Sequence, residues 1–215
     1  PAGAHATHPR RRSPPRGARH RPHVPPPPLD MPHLLGSERR GRRSPVVARW
    51  VHRKLTGRGG VASELVDLAE LDLPVMQERL RLRDDPPPGL EGLSKTIDGA
   101  DGLVIVTPEY NNGIPGAIKN ALDYLLPEFQ RLPVGVVTVS AGGFGGVSCL
   151  AQMRLVLLAM GGVPVPASLP VSRVQDAFDD DGEPTDENLK ARADRFLDEL
   201  VWWVRAAQRQ RSADG

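Results

Sequence analysis

LVIVTPEYNNGIPGAIKN, running from Leu103 to Asn120, decides how the rest of this chain is read. Leu103 to Val106 is an apolar run without polar alternation, the mark of a buried strand. Thr107 to Gly113 is a tight polar loop, and Pro115 suits the opening of a helix. Almost no loop side chain is a conventional catalytic group. The stretch is suited instead to present backbone atoms and one aromatic ring, Tyr110, to a flat ligand.

The same strand–loop–helix unit recurs on both sides. Downstream, Leu132 to Val139 is another apolar strand, leading into the glycine-rich Ser140 to Gly146. The helix after it carries Leu150, Met153, Leu157 and Leu158 on its expected inner face. Gly161-Gly162 ends that helix, and Val163 to Val171 holds the last strand. Upstream, His33 to Leu35 ends a short strand and Gly36 to Arg43 forms a basic loop. Ser44-Pro45 is expected to cap a helix with Val46, Val47, Trp50, Val51 and Leu55 at helical spacing. Residues 61 to 68 read as a strand, Pro74 to Gly89 as a long connection, and Leu90, Leu93 and Ile97 as a short helix. Thr185 caps a closing amphipathic helix whose buried face is Leu189, Ala193, Phe196, Leu200 and Val204. Alternation of this kind predicts one α/β domain over residues 31 to 207, with five parallel strands.

Residues 1 to 30 are Pro, Arg and His with almost no large apolar side chain, so they are expected to be disordered, as are residues 208 to 215. A basic arm, an inert tail and in-frame upstream sequence ahead of a start at Met31 all fit the first segment, and the last is favoured. The net charge of +2 hides an arginine excess in residues 1 to 45, so the basic balance belongs to the tail and is no argument for a nucleic-acid-binding fold; nucleic acid is not expected as a partner. No apolar run approaches the ~20 residues that cross a bilayer, and no apolar region follows the N-terminal arginines as in a secretory signal. One cysteine, Cys149, excludes an internal disulfide framework and fits a reducing, cytoplasmic setting. It reads as a small core residue. Asp176 to Glu183 lacks the register of a calcium loop and reads as solvated. Lys119 and Asp123 read as surface or subunit-contact charges.

Ligands of open α/β sheets sit beyond the carboxyl ends of the strands, where three polar loops are expected to meet. The first offers Gly36, Ser37 and Arg39 ahead of a helix N-terminus, an anion site. The second offers backbone donors, Tyr110 and Asn111. The third is a run of glycines over which a planar ring can approach the backbone. A phosphorylated, planar heteroaromatic ligand meets all three demands, and FMN is the natural candidate.

TPEYNNGIPGAIKNALDYL resembles the signature of the NADPH-dependent FMN reductases, which include azo-, quinone- and chromate-reducing flavoproteins. GSERRGR resembles their phosphate loop and VTVSAGGFGG their third loop, and the likeness covers residues 34 to 205. It implies a flavodoxin-like, three-layer, doubly wound sheet of order 2-1-3-4-5. It implies that Ser37 and Arg39, with Arg42 and Ser44, hold the FMN phosphate. Pro108, Glu109, Tyr110 and Asn111 would line the isoalloxazine, and Ser140, Gly142 and Gly143 would close its other edge. It also implies hydride transfer from NADPH or NADH to the flavin and onward to a small-molecule acceptor (a quinone, azo compound, metal oxyanion or free flavin). A homodimer or homotetramer is expected, and no catalytic acid or base. The first strand departs from the pattern, with Met31-Pro32-His33 before Leu34 and a proline run before that. Arg40 stands where the family often has proline. A flavodoxin-type electron carrier, or a relative without flavin because its first strand is eroded, are the alternatives.

Overall fold

The computed structural model describes residues 27 to 214. Most of the segment expected to be disordered, residues 1 to 26, therefore lies outside the described residues.

Among the described residues there are seven strands and six α-helices. The strands are β1 (Leu29–Asp30), β2 (His33–Leu35), β3 (Val61–Ala62), β4 (Leu65–Asp67), β5 (Leu103–Pro108), β6 (Pro133–Val139) and β7 (Val163–Val171). The helices are α1 (Ser44–Thr56), α2 (Leu68–Leu71), α3 (Leu90–Asp98), α4 (Gly116–Tyr124), α5 (Val147–Ala159) and α6 (Glu187–Asp214). The main sheet is wholly parallel, in the order β4-β2-β5-β6-β7, and β1 pairs with β3 beside it. Counting β1/β2 and β3/β4 each as one strand, this is the expected order 2-1-3-4-5. β5 and β6 are buried along their whole length, as their continuous apolar sequence requires. One core lies under α1 and α6 and the other under α3, α4 and α5, giving three layers. Among the described residues no helix is long and apolar enough to cross a membrane.

The first strand is interrupted rather than eroded. Leu29 pairs with Val61 and His33 with Leu65, the same register on both sides of the break. The N–H groups of Leu29, Met31 and His33 donate to Gly60, Ala62 and Glu64 at 2.7–2.9 Å. Pro32 removes a donor on the opposite edge only, and its carbonyl still accepts from Val104 at 3.0 Å. The expected tail boundary at residue 30 is therefore corrected. Leu29 and Met31 are buried, and both belong to the core that lies under α1 and α6.

Three further corrections have physical causes. The expected strand over 61 to 68 breaks into β3 and β4, and Leu68 already begins α2, whose first turn is capped by the Asp67 carboxylate. Leu158 is 60% exposed while Leu150, Met153 and Leu157 are buried, because α5 is apolar on nearly all sides and periodicity alone cannot choose its face. α6 continues to Asp214 instead of stopping at 207. Asp101 holds its last turns, accepting from Arg211 at 2.8 Å and Gln208 at 3.3 Å.

Candidate functional site

The loops after β2, β5, β6 and β7 surround a cleft of about 730 Å³ at the carboxyl edge of the sheet. That size falls in the range of about 300–1,000 Å³ typical of small-molecule sites. Arg39, Arg42, Ser44, Pro108, Glu109, Tyr110, Asn111 and Ser140 all line it.

The first loop leaves β2 at Gly36, whose N–H donates to Val106 at 2.9 Å. A Cβ there would lie 2.5 Å from Ile118 Cδ1, so the loop can lie against α4 only because residue 36 is glycine. Ser37 is completely buried and is not among the residues lining the cleft, and its Oγ has no partner among the described residues. Arg42 braces this turn: it donates to the Ser37 carbonyl at 2.5 Å and grips both Asp67 oxygens at 2.6 Å. That pairing raises the Arg42 pKa, the Asp67 hydrogen bond being the largest cause. Arg42 thus shapes the loop, whereas Arg39 makes no salt bridge among the described residues and lies 5.9 Å above the Tyr110 ring.

Helix α1 starts at its expected cap, Ser44, so the N-cap position falls one residue earlier than the sequence suggests. Arg43 is at the N-cap position, no side chain caps the end, and the first turn carries no acidic residue. Ser44 is buried inside this first turn and Pro45 has no N–H to satisfy. A helix of 13 residues with its positive end left uncapped beside a cleft attracts anions.

The second loop is a two-residue turn. Tyr110 and Gly113 exchange backbone bonds at 3.2 and 3.0 Å, and Asn111 and Asn112 take φ of 50° and 59°. Asparagine tolerates this left-handed geometry, which explains the pair. Gln152 of α5 fixes the turn by donating to the Asn112 carbonyl at 2.8 Å. Glu109 both lines the cleft and accepts from the Cys149 N–H at 2.9 Å, capping α5, whose own N-cap residue, Gly146, has no side chain to do so. Cys149 is buried beneath, and burial pushes its thiol up to about 11.

The third loop folds back on itself through Thr138 Oγ1, which donates to Gly145 at 2.6 Å, and Ser140 Oγ, which donates to Gly142 at 3.0 Å. Ser140 and Ala141 face the cleft; Gly142 and Gly143 are exposed beyond its rim. Val174 and Gln175 close the fourth side, and sequence reading missed them. Their signal was positional, since the carboxyl end of β7 must share the edge of the other loops, but Arg173 to Gln175 carries no motif.

The donor set suits a phosphorylated planar group. It combines an unpartnered buried hydroxyl, an uncapped helix end, a guanidinium over an aromatic ring, and a small-residue loop opposite.

Comparison with known proteins agrees with this geometry. A family model described as NADPH-dependent FMN reductase matches residues 33–176. An NADPH azoreductase of Bacillus sp. (strain OY1-2) is 35% identical over 70% of this chain and 83% of its own. A quinone reductase of Escherichia coli (strain K12) is 37% identical over 60% of this chain and 70% of its own. Among solved structures, the flavoenzyme NAD(P)H:(acceptor) oxidoreductase FerB from Paracoccus denitrificans superposes with a TM-score of 0.68 at 29% identity. That match covers 83% of this chain and 98% of the other.

Proposed function

This chain belongs to the NADPH-dependent FMN reductase family, and from that premise we propose that the cleft bounded by Arg39, Tyr110 and Ser140 is its flavin site. The activity is that of an FMN-dependent NAD(P)H oxidoreductase. Bound FMN would supply the redox chemistry, the uptake of hydride from NAD(P)H and the delivery of electrons to the acceptor. The protein supplies position and charge, and its acceptors are quinones, azo compounds, metal oxyanions or free flavin.

The observation that carries the assignment is the buried Ser37 Oγ, without a partner among the described residues and set at the turn that leads to the open end of α1. A buried hydroxyl left without a partner costs about 1–3 kcal/mol, which a phosphate oxygen recovers. Ser37, the first-turn N–H groups of α1 and Arg39 hold the phosphate. Arg42 holds the loop in shape from behind, and Ser44 packs the helix end. Pro108 to Asn111 support the ring through backbone groups and Tyr110, while Ser140 faces them. Gly142 and Gly143 keep the rim open to the nicotinamide and the acceptor. No side chain is assigned as a catalytic acid or base. A titration of FMN fluorescence tests this: Ser37→Ala weakens FMN binding about tenfold or more, with the stability of the flavin-free protein unchanged or raised. Unchanged FMN affinity in Ser37→Ala overturns the assignment.

A homodimer or homotetramer fits α5. Val147, Ala151, Leu155 and Leu158 form an exposed apolar stripe opposite the buried face of that helix. Sedimentation checks this, with Leu155→Glu shifting the assembly toward monomer. We place the protein in the cytoplasm, consistent with its single buried thiol.

A further inference from the structure

A second basin of about 680 Å³ adjoins the flavin cleft, sharing Arg42, Arg43, Val174 and Gln175 as a common wall. It is lined by the outer face of α1 on one side and by the loop Phe178 to Gly182 on the other. Nothing in the flavin assignment uses it.

The charges of this basin are not equivalent. Arg42 is committed to Asp67, and Arg53 donates to the Gly182 carbonyl at 2.9 Å and to Glu183 at 2.6 Å. On the opposite lip, Asp179 is turned onto its own loop, accepting from the N–H groups of Asp181 and Glu183. Arg43 and Arg49 are left exposed, with no salt bridge among the described residues. Two uncommitted guanidiniums lie along one wall of a polar basin that opens onto a flavin cleft. A dianion matches them.

Resting on the flavin reading above, we propose that this basin receives the 2′-phosphate of NADPH, with Arg49 as the specificity-determining residue and Arg43 assisting from the shared wall. NADPH and NADH differ only by that phosphate, so only a group that meets it changes their ratio. The bond is charge-assisted and, with arginine, can be bidentate, which corresponds to a discrimination of about tenfold to a hundredfold. Asp180 and Asp181, on the far lip, face the same space and oppose this preference. Their replacement by asparagine strengthens it. In the contrary arrangement, these carboxylates would accept from the 2′-hydroxyl of NADH and favour the unphosphorylated nucleotide.

Two measurements on the FMN-loaded protein decide the matter. Calorimetric titration with adenosine 2′,5′-bisphosphate and with AMP compares a phosphate at the 2′ position with none. The 2′-phosphorylated nucleotide binds at least about tenfold more tightly, and the difference disappears in Arg49→Gln and partly returns in Arg49→Lys. In steady-state assays, Arg49→Gln raises KM for NADPH by a similar factor while kcat and the parameters for NADH stay unchanged. Equal binding of the two nucleotides, tighter binding of AMP, or parallel changes for NADPH and NADH overturn the proposal. Absence of flavin-dependent NAD(P)H oxidation would instead refute the underlying function and leave the nucleotide comparison readable.

Discussion

Replacing His33 changes how stability depends on pH, and the size of the effect follows from its burial. His33 lies in β2, an inner strand of the sheet, fully buried, with Nδ1 2.9 Å from Ser63 Oγ and Nε2 without a partner among the described residues. Burial, chiefly, and the nearby His52, at 5.2 Å between ring centroids, hold its pKa down to about 3 from the ordinary 6.5. The folded state therefore keeps His33 neutral where the unfolded chain takes up a proton. Above pH 6.5 neither state binds the proton and no penalty exists. As pH falls below 6.5 the unfolded state is favoured, and the loss grows until the folded pKa is reached. Between pH 7 and pH 5 the cost is about 2 kcal/mol, set by the 1.5 pH units below the unfolded pKa at about 1.36 kcal/mol each. For a chain of this length that lowers Tm by about 4–8 °C. Urea unfolding of wild type and His33→Gln across this range is the assay. The wild-type curve falls more steeply than the variant's by about 2 kcal/mol. His52, whose pKa burial also lowers, adds to the same slope. Parallel curves for the two proteins would refute the reasoning, whatever their absolute stabilities.

Other perturbations separate framework from ligand contact. Glu109→Ala removes the acceptor for the Cys149 N–H and destabilises α5 by about 1 kcal/mol in thermal melts, whereas Glu109→Gln keeps the bond and loses less. Asp67→Asn breaks the grip on Arg42 and lowers stability by about 1–3 kcal/mol. It also loosens FMN binding several-fold in fluorescence titration, because the Ser37 carbonyl loses its brace. Asp101→Ala releases the last turns of α6, seen as faster amide exchange after Val204 with no loss of flavin.

Much of the site was legible because its local geometry leaves marks in residue type. The polar loop Thr107 to Gly113 and the loop opening at Gly36 were both readable as strand-to-helix connections, and the positive φ of Asn111 and Asn112 and the approach of Gly36 to Ile118 explain those residue types. The apolar runs of β5 and β6 could only be strands covered on both sides. The first strand was harder to read, since Pro32 and the prolines before Leu29 look incompatible with a central position. Only the pairing register shows that Pro32 gives up a donor on one edge. The roles of Arg42 and Glu109 were hidden too, because their partners, Asp67 and Cys149, lie 25 and 40 residues away. Gln175 and the extension of α6 depend likewise on contacts between distant segments, which no local pattern records.

The central claim is that the cleft between Arg39 and Ser140 holds an FMN that NADPH reduces. Purified protein supplied with FMN, freed of excess and titrated with NADPH under nitrogen tests it directly by absorbance. A yellow protein is expected, whose flavin band bleaches on addition of NADPH and returns when a quinone is added. A protein that stays colourless after FMN, or a yellow one that NADPH does not bleach, would contradict it.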